Sequence, residues 1–434
     1  MHHVELWMVI PFAIMLLTIA IAPLVAEHFW ETNRNKLIFT AVISVISVVM
    51  LVTNGLGKDV VHSVLDEYIP FVMLLLSLFV VTGGIHISGD IKANPITNTA
   101  ILALGFALAS VMGTTGAAML LIRPLLQINQ QRTHKVHTVL FFIALVANCG
   151  GLLTPLGDPP LFLLYLKGAD FMWFSTMFPQ WLTAGVLLLA IYMVVDRYYY
   201  AKEPAEAKLR DLTEQEPIKI QGTRNLLYLG MIILAVLFLN RKYIPAMADH
   251  DAPLYIQFLR ELVLGAVILL SLFTTRKEVR KANHFTWEPI SEVAILFVGI
   301  FITMTPAMLY LEANAASLGL TKPWQFFYST GALSSFLDNA PTAVAFHTLA
   351  KGLYPVAEAD FVASIPAVLL QAISLGAVFF GAMTYSGNGP NFMVKAIAEQ
   401  EGIKMPSFFG YIFKFTLIVL LPVYIIVQLI FLPF

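Results

Sequence analysis

A single cysteine, Cys149, stands in 434 residues, and charged side chains make up only 12% of the chain. One cysteine excludes an intramolecular disulfide and a cysteine-rich metal centre; a lone thiol between apolar runs reads as packing at a tight helix contact. Low charge goes together with 58% hydrophobic residues, a balance that excludes a soluble domain of this size and fits a polytopic protein of the lipid bilayer. The net charge is −1 and the basic residues are scattered through short inter-helical segments, so no nucleic-acid partner is indicated. There is no G-x-x-x-x-G-K-[ST] loop, and the polar segments are too short for an ATPase domain, which points away from an enzyme and leaves ion gradients as the energy source for any work. Met1 to Trp7 contains no Lys or Arg; without a basic n-region, Leu6 to about Val25 reads as a retained first span.

The apolar runs organise the rest. Each of 6–25, 37–54 and 69–88 approaches the ~20 residues needed to cross a bilayer. The stretch 97–127 is too long for one span and is interrupted by Ser110, Gly113, Thr114, Thr115 and Gly116. It reads as a re-entrant hairpin with two arms of about 14 residues. A span over 137–167 follows, broken at Asn148-Cys149-Gly150-Gly151-Leu152-Leu153-Thr154-Pro155-Leu156-Gly157-Asp158-Pro159-Pro160. No uninterrupted helix runs through that composition, and the backbone groups it frees must face protein or a wet cavity. After a span at 177–195 and a polar linker at 196–224, the plan repeats: spans at 225–240, 254–274 and 289–311, a hairpin at 323–350, a broken span at 363–399 and a last span at 408–432.

The halves, 1–195 and 225–434, match motif by motif. Ser110-Val-Met-Gly-Thr-Thr-Gly-Ala117 pairs with Ser335-Phe-Leu-Asp-Asn-Ala-Pro-Thr342, and Gly157-Asp-Pro-Pro160 with Gly387-Asn-Gly-Pro390. The intervals from Ser110 to Gly157 and from Ser335 to Gly387 are 47 and 52 residues. With the N-terminus outside and both hairpins returning to the side they enter, eighteen Lys and Arg fall on the inner side and seven outside, as the distribution of positive charge requires. The fold expected is therefore an all-α integral membrane protein of about ten transmembrane helices plus two re-entrant hairpins, in two inverted repeats with broken helices. Both termini then lie outside. Secondary transporters are built on this plan, with the site where the discontinuous helices meet.

Four polar tips should converge: Thr114 and Thr115 of the first hairpin; Asn148, Thr154 and Asp158 of the first break; Asp338, Asn339 and Thr342 of the second hairpin; and Thr384, Ser386, Asn388 and Asn391 of the second break. Hard cations such as Na⁺ want several oxygens, which these side chains and unwound carbonyls offer. Two carboxylates near the midplane, Asp158 and Asp338, must bind a proton or a cation to be tolerated there, and competition between the two is the minimal basis of antiport. The plainer reading sits beside this one: each Asp can cap the helix that follows it, and the hydroxyls can simply bridge helices. His86, His134, His137 and His347 have no metal-binding spacing and read as structural or surface residues; His347, about two turns past the second tip, is placed for a proton relay. No Arg or Lys occurs in either motif, which favours a cation over a polycarboxylate and leaves a neutral substrate open. No cofactor is expected beyond transported or coupling Na⁺ and H⁺.

At these motifs the chain resembles the ion transporter superfamily, which groups NhaD-type sodium/proton antiporters, arsenite permeases, citrate and dicarboxylate carriers and the pink-eyed-dilution P protein. The resemblance covers most of the chain and rests on Asn148-Cys-Gly-Gly through Gly157-Asp-Pro-Pro160, Ser335-Phe-Leu-Asp-Asn-Ala-Pro-Thr342 and Ser386-Gly-Asn-Gly-Pro-Asn391. It implies a homodimer in a bacterial plasma membrane, a scaffold domain, and a transport domain of hairpins and broken spans that moves in an elevator-like step. The dicarboxylate carriers carry a Ser-Asn-Thr signature at their hairpin tips, where this chain has Gly113-Thr114-Thr115 and Asp338-Asn339-Ala340. That departure moves the expectation toward Na⁺(Li⁺)/H⁺ antiport. Carriage of citrate or another organic anion with cations, an arsenite permease and a channel remain the rivals.

Overall fold

Without water, a peptide backbone can satisfy its polar groups only within a helix or a closed barrel, and the apolar runs fold as helices. The computed structural model describes residues 4–213, 215–249, 251–356 and 358–433. Among these residues, eight helices are long and apolar enough to cross a membrane: Leu6–Pro23, Asn33–Thr53, Gly57–Thr82, Pro95–Met112, Val136–Leu153, Phe171–Ala201, Glu288–Ala313 and Phe408–Phe431. Arg224–Phe238, Leu259–Thr274, Thr114–Ile128 and the helices of the second hairpin and second broken span are shorter.

Both hairpins form where the composition breaks. The first has arms Pro95–Met112 and Thr114–Ile128; the second has Pro323–Ser334 and Asn339–Leu353. The first arm is 18 residues, longer than the sequence suggests, because Asn94 starts it early by accepting hydrogen bonds from the amides of Ile96 and Thr97, with Pro95 in the first turn. It stops at Gly113, whose φ of +81° is a conformation that residues with a Cβ rarely adopt.

The broken spans lie at the centre. Of Val136–Leu153, 89% is buried, against 17% of Leu6–Pro23, so the first broken span is the axis of the molecule while the first span faces outward. Around the axis pack the two hairpins, the second broken span and the helices Phe178–Ala201 and Phe408–Phe431. The remaining spans lie to one side, where Glu288–Ala313 runs along Asn33–Thr53 and also packs on Asn339–Leu353. The linker is not featureless: it holds the helix Ala205–Thr213 and the strand Glu216–Gln221, which pairs antiparallel with His86–Asp90, Ile220 opposite Ile87.

Charge is buried at the base of the first hairpin. Asp196 accepts from Arg132 Nη1 at 3.0 Å, makes an ion pair with Arg132 Nη2 at 2.7 Å, and meets His137 Nε2 at 2.7 Å. Glu203 accepts from the amides of Thr133 and His134 at 2.9 and 2.8 Å. This cluster ties the helix leading into the linker to the turn between hairpin and broken span. Arg132→Met leaves Asp196 buried without its main counter-charge, and removing one partner of such a pair costs about 3–5 kcal/mol. The expected result is a clear drop in thermal unfolding temperature in detergent; a shift within error of wild type would refute it.

Candidate functional site

The two breaks are built alike. In the first, the helix Val136–Leu145 gives way to a tight turn at Cys149–Leu153 and restarts at Pro159–Leu166. In the second, Ala367–Phe380 gives way to Gly381–Met383 and restarts at Gly389–Gln400. Thr154 (φ −144°, ψ 159°) and Thr384 (−141°, 170°) share one extended conformation, as do Asp158 (−147°, 143°) and Asn388 (−151°, 138°). Thr154 Oγ1 donates to the Ser110 carbonyl at 2.5 Å, Thr384 Oγ1 to the Ser335 carbonyl, and each hydroxyl accepts an amide two residues on. The two breaks thus share one pattern of hydrogen bonds.

Carbonyls freed by the breaks need donors, and amide side chains supply them across the pseudo-symmetry. Asn148 Nδ2 donates to the Ile143 carbonyl at 2.8 Å and to Asn391 Oδ1 at 2.7 Å. Asn391 Nδ2 donates in turn to the carbonyls of Gly381 and Thr384 at 2.8 and 2.9 Å. The two breaks are therefore cross-braced, each amide fully buried.

Asp158 sits where all four tips meet, 2% exposed. Its Oδ1 accepts from Thr114 Oγ1 of the first hairpin at 2.7 Å and from Asn388 Nδ2 of the second break at 3.1 Å. Its Oδ2 accepts from Asn339 Nδ2 of the second hairpin at 2.6 Å. Four helices begin here, at Thr114, Pro159, Asn339 and Gly389, and their N-terminal partial charges favour a negative group. No Lys or Arg makes an ion pair with Asp158 among the described residues. Asn339 Oδ1 is buried with no hydrogen-bond partner, an acceptor left open beside the carboxylate.

The other expected residues make these contacts. Asp338 is half-buried and caps its helix, Oδ1 accepting from the Ala340 amide at 2.9 Å. Thr342 donates to the Asp338 carbonyl, and Ser386 meets Thr384 Oγ1 at 3.0 Å. Thr115 lines a small apolar cavity of about 70 Å³ with Leu78, Phe79, Ile290 and Val293 rather than the Asp158 cluster. His347 hydrogen-bonds through Nε2 to the Ala363 carbonyl at 2.8 Å. The buried Arg132, Asp196 and Glu203 did not emerge from the sequence; the signal available was Asp196 closing a long apolar run.

A family model described as "Putative citrate transport" matches residues 1–432. The chain belongs to this citrate-transport family. No curated protein matches the chain closely enough to count as a relative. Membership makes it a multi-pass secondary transporter of the citrate-transporter type.

Proposed function

We propose that this transporter exchanges Na⁺ or Li⁺ for protons, with Asp158 as the group for which they compete. The supporting observation is that a buried carboxylate is held by three neutral donors, contributed by both repeats, and by no cationic side chain. Such a group cannot cross the bilayer bare, because the charge must be neutralised when water is lost. A proton or a small cation does this equally, and only one fits at a time. The amides suit either state: in this arrangement Asn339 and Asn388 donate to the carboxylate, and rotation about the terminal torsion presents their oxygens to a cation or to the carboxyl proton. Asp338 is the second carboxylate of the site. Thr114 supports Asp158 directly, while Asn148, Thr154, Thr384 and Asn391 hold the breaks in shape. Alternating access follows from an elevator-like movement of the hairpins and broken spans against the other spans, in a homodimer of the bacterial plasma membrane.

A second reading, uptake of citrate or a related organic anion together with cations, is favoured by the family description and by the four helix N-termini at the site. The test that separates them is collapse of a preformed ΔpH in inside-out vesicles on adding Na⁺ or Li⁺, against uptake of labelled citrate. Antiport gives the first response without the second; citrate uptake with no response to Na⁺ overturns it. In the same assay Thr114→Val removes one hydrogen bond to a charged group, worth ~1.5–3 kcal/mol and so roughly tenfold to a hundredfold in apparent affinity. Thr115→Val, one position along the helix and outside the cluster, leaves affinity near wild type.

A further inference from the structure

Among the described residues, the hairpins and broken spans meet the flanking spans through ion pairs at one end of the molecule only. Lys167, just past the first broken span, pairs with Glu67 of the third span at 2.5 Å. Asp170, three residues on, pairs with Lys242 beyond Arg224–Phe238, and this contact holds the Asp170 carboxyl below its usual range. Lys351, near the end of the second hairpin, pairs with Glu312 of Glu288–Ala313 at 3.1 Å. Pro159–Leu166 and Asn339–Leu353 both start at the Asp158 cluster and pack along each other, so the three pairs share one end, which the charge distribution places outside. Close approach accompanies them: a Cβ at Gly352 would overlap the Glu312 carbonyl oxygen. At the opposite end, among the described residues, ion pairs stay within one group of helices, as in Arg132–Asp196 and Lys36–Glu292.

We propose that Lys167–Glu67, Asp170–Lys242 and Lys351–Glu312 form an outer latch that positions the moving helices in this state and must open for translocation. The inference rests on the elevator-like movement proposed above. Two further observations support a latch over a static staple. The first two pairs border a cavity of about 440 Å³, lined from the moving side by Tyr165, Lys167 and Asp170 and from the fixed side by Asp66, Lys242 and Arg260; at that part of the boundary side chains reach across open space, whereas Lys351–Glu312 lies where the helices pack closely. Glu67 Oε2 is buried with no partner, so the carboxylate is only half satisfied in this arrangement, and a buried acceptor left unmade is a cost that another arrangement can relieve. The cations around this cavity each have an acid beside them, Arg241 with Asp66 and Arg260 with Glu261 included, which gives a free anion little net charge to bind.

The test reads conformation without substrate. In a Cys149→Ser background, Phe336→Cys at the exposed side of the second tip is labelled with a membrane-impermeant maleimide from each face of vesicles. Neutralising Lys167 and Lys351 to Gln is expected to change the ratio of labelling between the faces several-fold. The charge swap Glu67→Lys with Lys167→Glu, or Glu312→Lys with Lys351→Glu should one swap fail to fold, is expected to restore the original ratio. An unchanged ratio in the neutralised protein overturns the latch, as does a folded swap that behaves like the neutralised form. Because no ion gradient enters this readout, a shift in labelling stands even where Na⁺/H⁺ exchange is absent.

Discussion

Asp158→Asn is expected to bring sodium-driven dissipation of ΔpH down to that of vesicles lacking the protein while leaving the folded yield intact. The substitution keeps shape and burial. It removes the carboxylate on which the donors of the four tips converge and puts an N–H where Oδ1 or Oδ2 accepts. Whichever way the new amide is turned, its nitrogen faces a donor from Asn339 or from Thr114 and Asn388, so one of them must turn away. Neither proton nor cation then has a charge to neutralise. Substantial exchange in this variant would remove Asp158 from the mechanism. Asp338→Asn is the informative companion, because asparagine caps helices as well as aspartate does. If Asp338 only receives the Ala340 amide, exchange survives in that variant; if its charge is part of the site, exchange falls without loss of fold.

Gly157→Ala should have an equally large effect through packing alone. A methyl at Gly157 would overlap the Gly151 carbonyl oxygen, backbone against backbone, with no side chain available to move aside. The Gly157 carbonyl also accepts the Thr114 amide at 2.7 Å, so a shift of this strand of the break drags the first hairpin tip with it. The loss should exceed about 4 kcal/mol, in the range reserved for overpacked cores. Little folded protein is expected on solubilisation, and a monodisperse, active Gly157→Ala transporter would show that the two turns have room to separate. Gly389, with no atom near its absent side chain, is the matched control and should accept alanine.

The breaks and the turns of the hairpins were legible because glycine and proline act locally: Gly113, Gly157 and Pro159-Pro160 stop or start helices wherever the chain goes next. Convergence on Asp158 was legible for a related reason, since polar tips inside an apolar protein have only one another to meet. Direction was not. Thr114 and Thr115 differ by one residue, about 100° around a helix, and of the two it is Thr114 whose hydroxyl bonds the carboxylate, although both border the small cavity beside Leu78 and Ile290. Asn148 and Asn391 looked like ligands, and in this state they serve the backbone, because breaking a helix creates carbonyls that must be answered before any ion is. Pairings such as Lys167 with Glu67 or Arg132 with Asp196 join positions 100 and 64 residues apart and carry no local pattern at all.

That Asp158 draws its partners from both halves of the chain also sets an order of events during synthesis. Thr114 precedes it in the chain, but Asn339 and Asn388 follow 181 and 230 residues later. While the ribosome works through the intervening spans, the first half holds an acid with one of its three donors, and the half-made pocket must keep it protonated or near water until the second half arrives. The centre of the molecule is thus the last part to be completed, and the first half alone is a poor lodger in lipid until its twin closes over it.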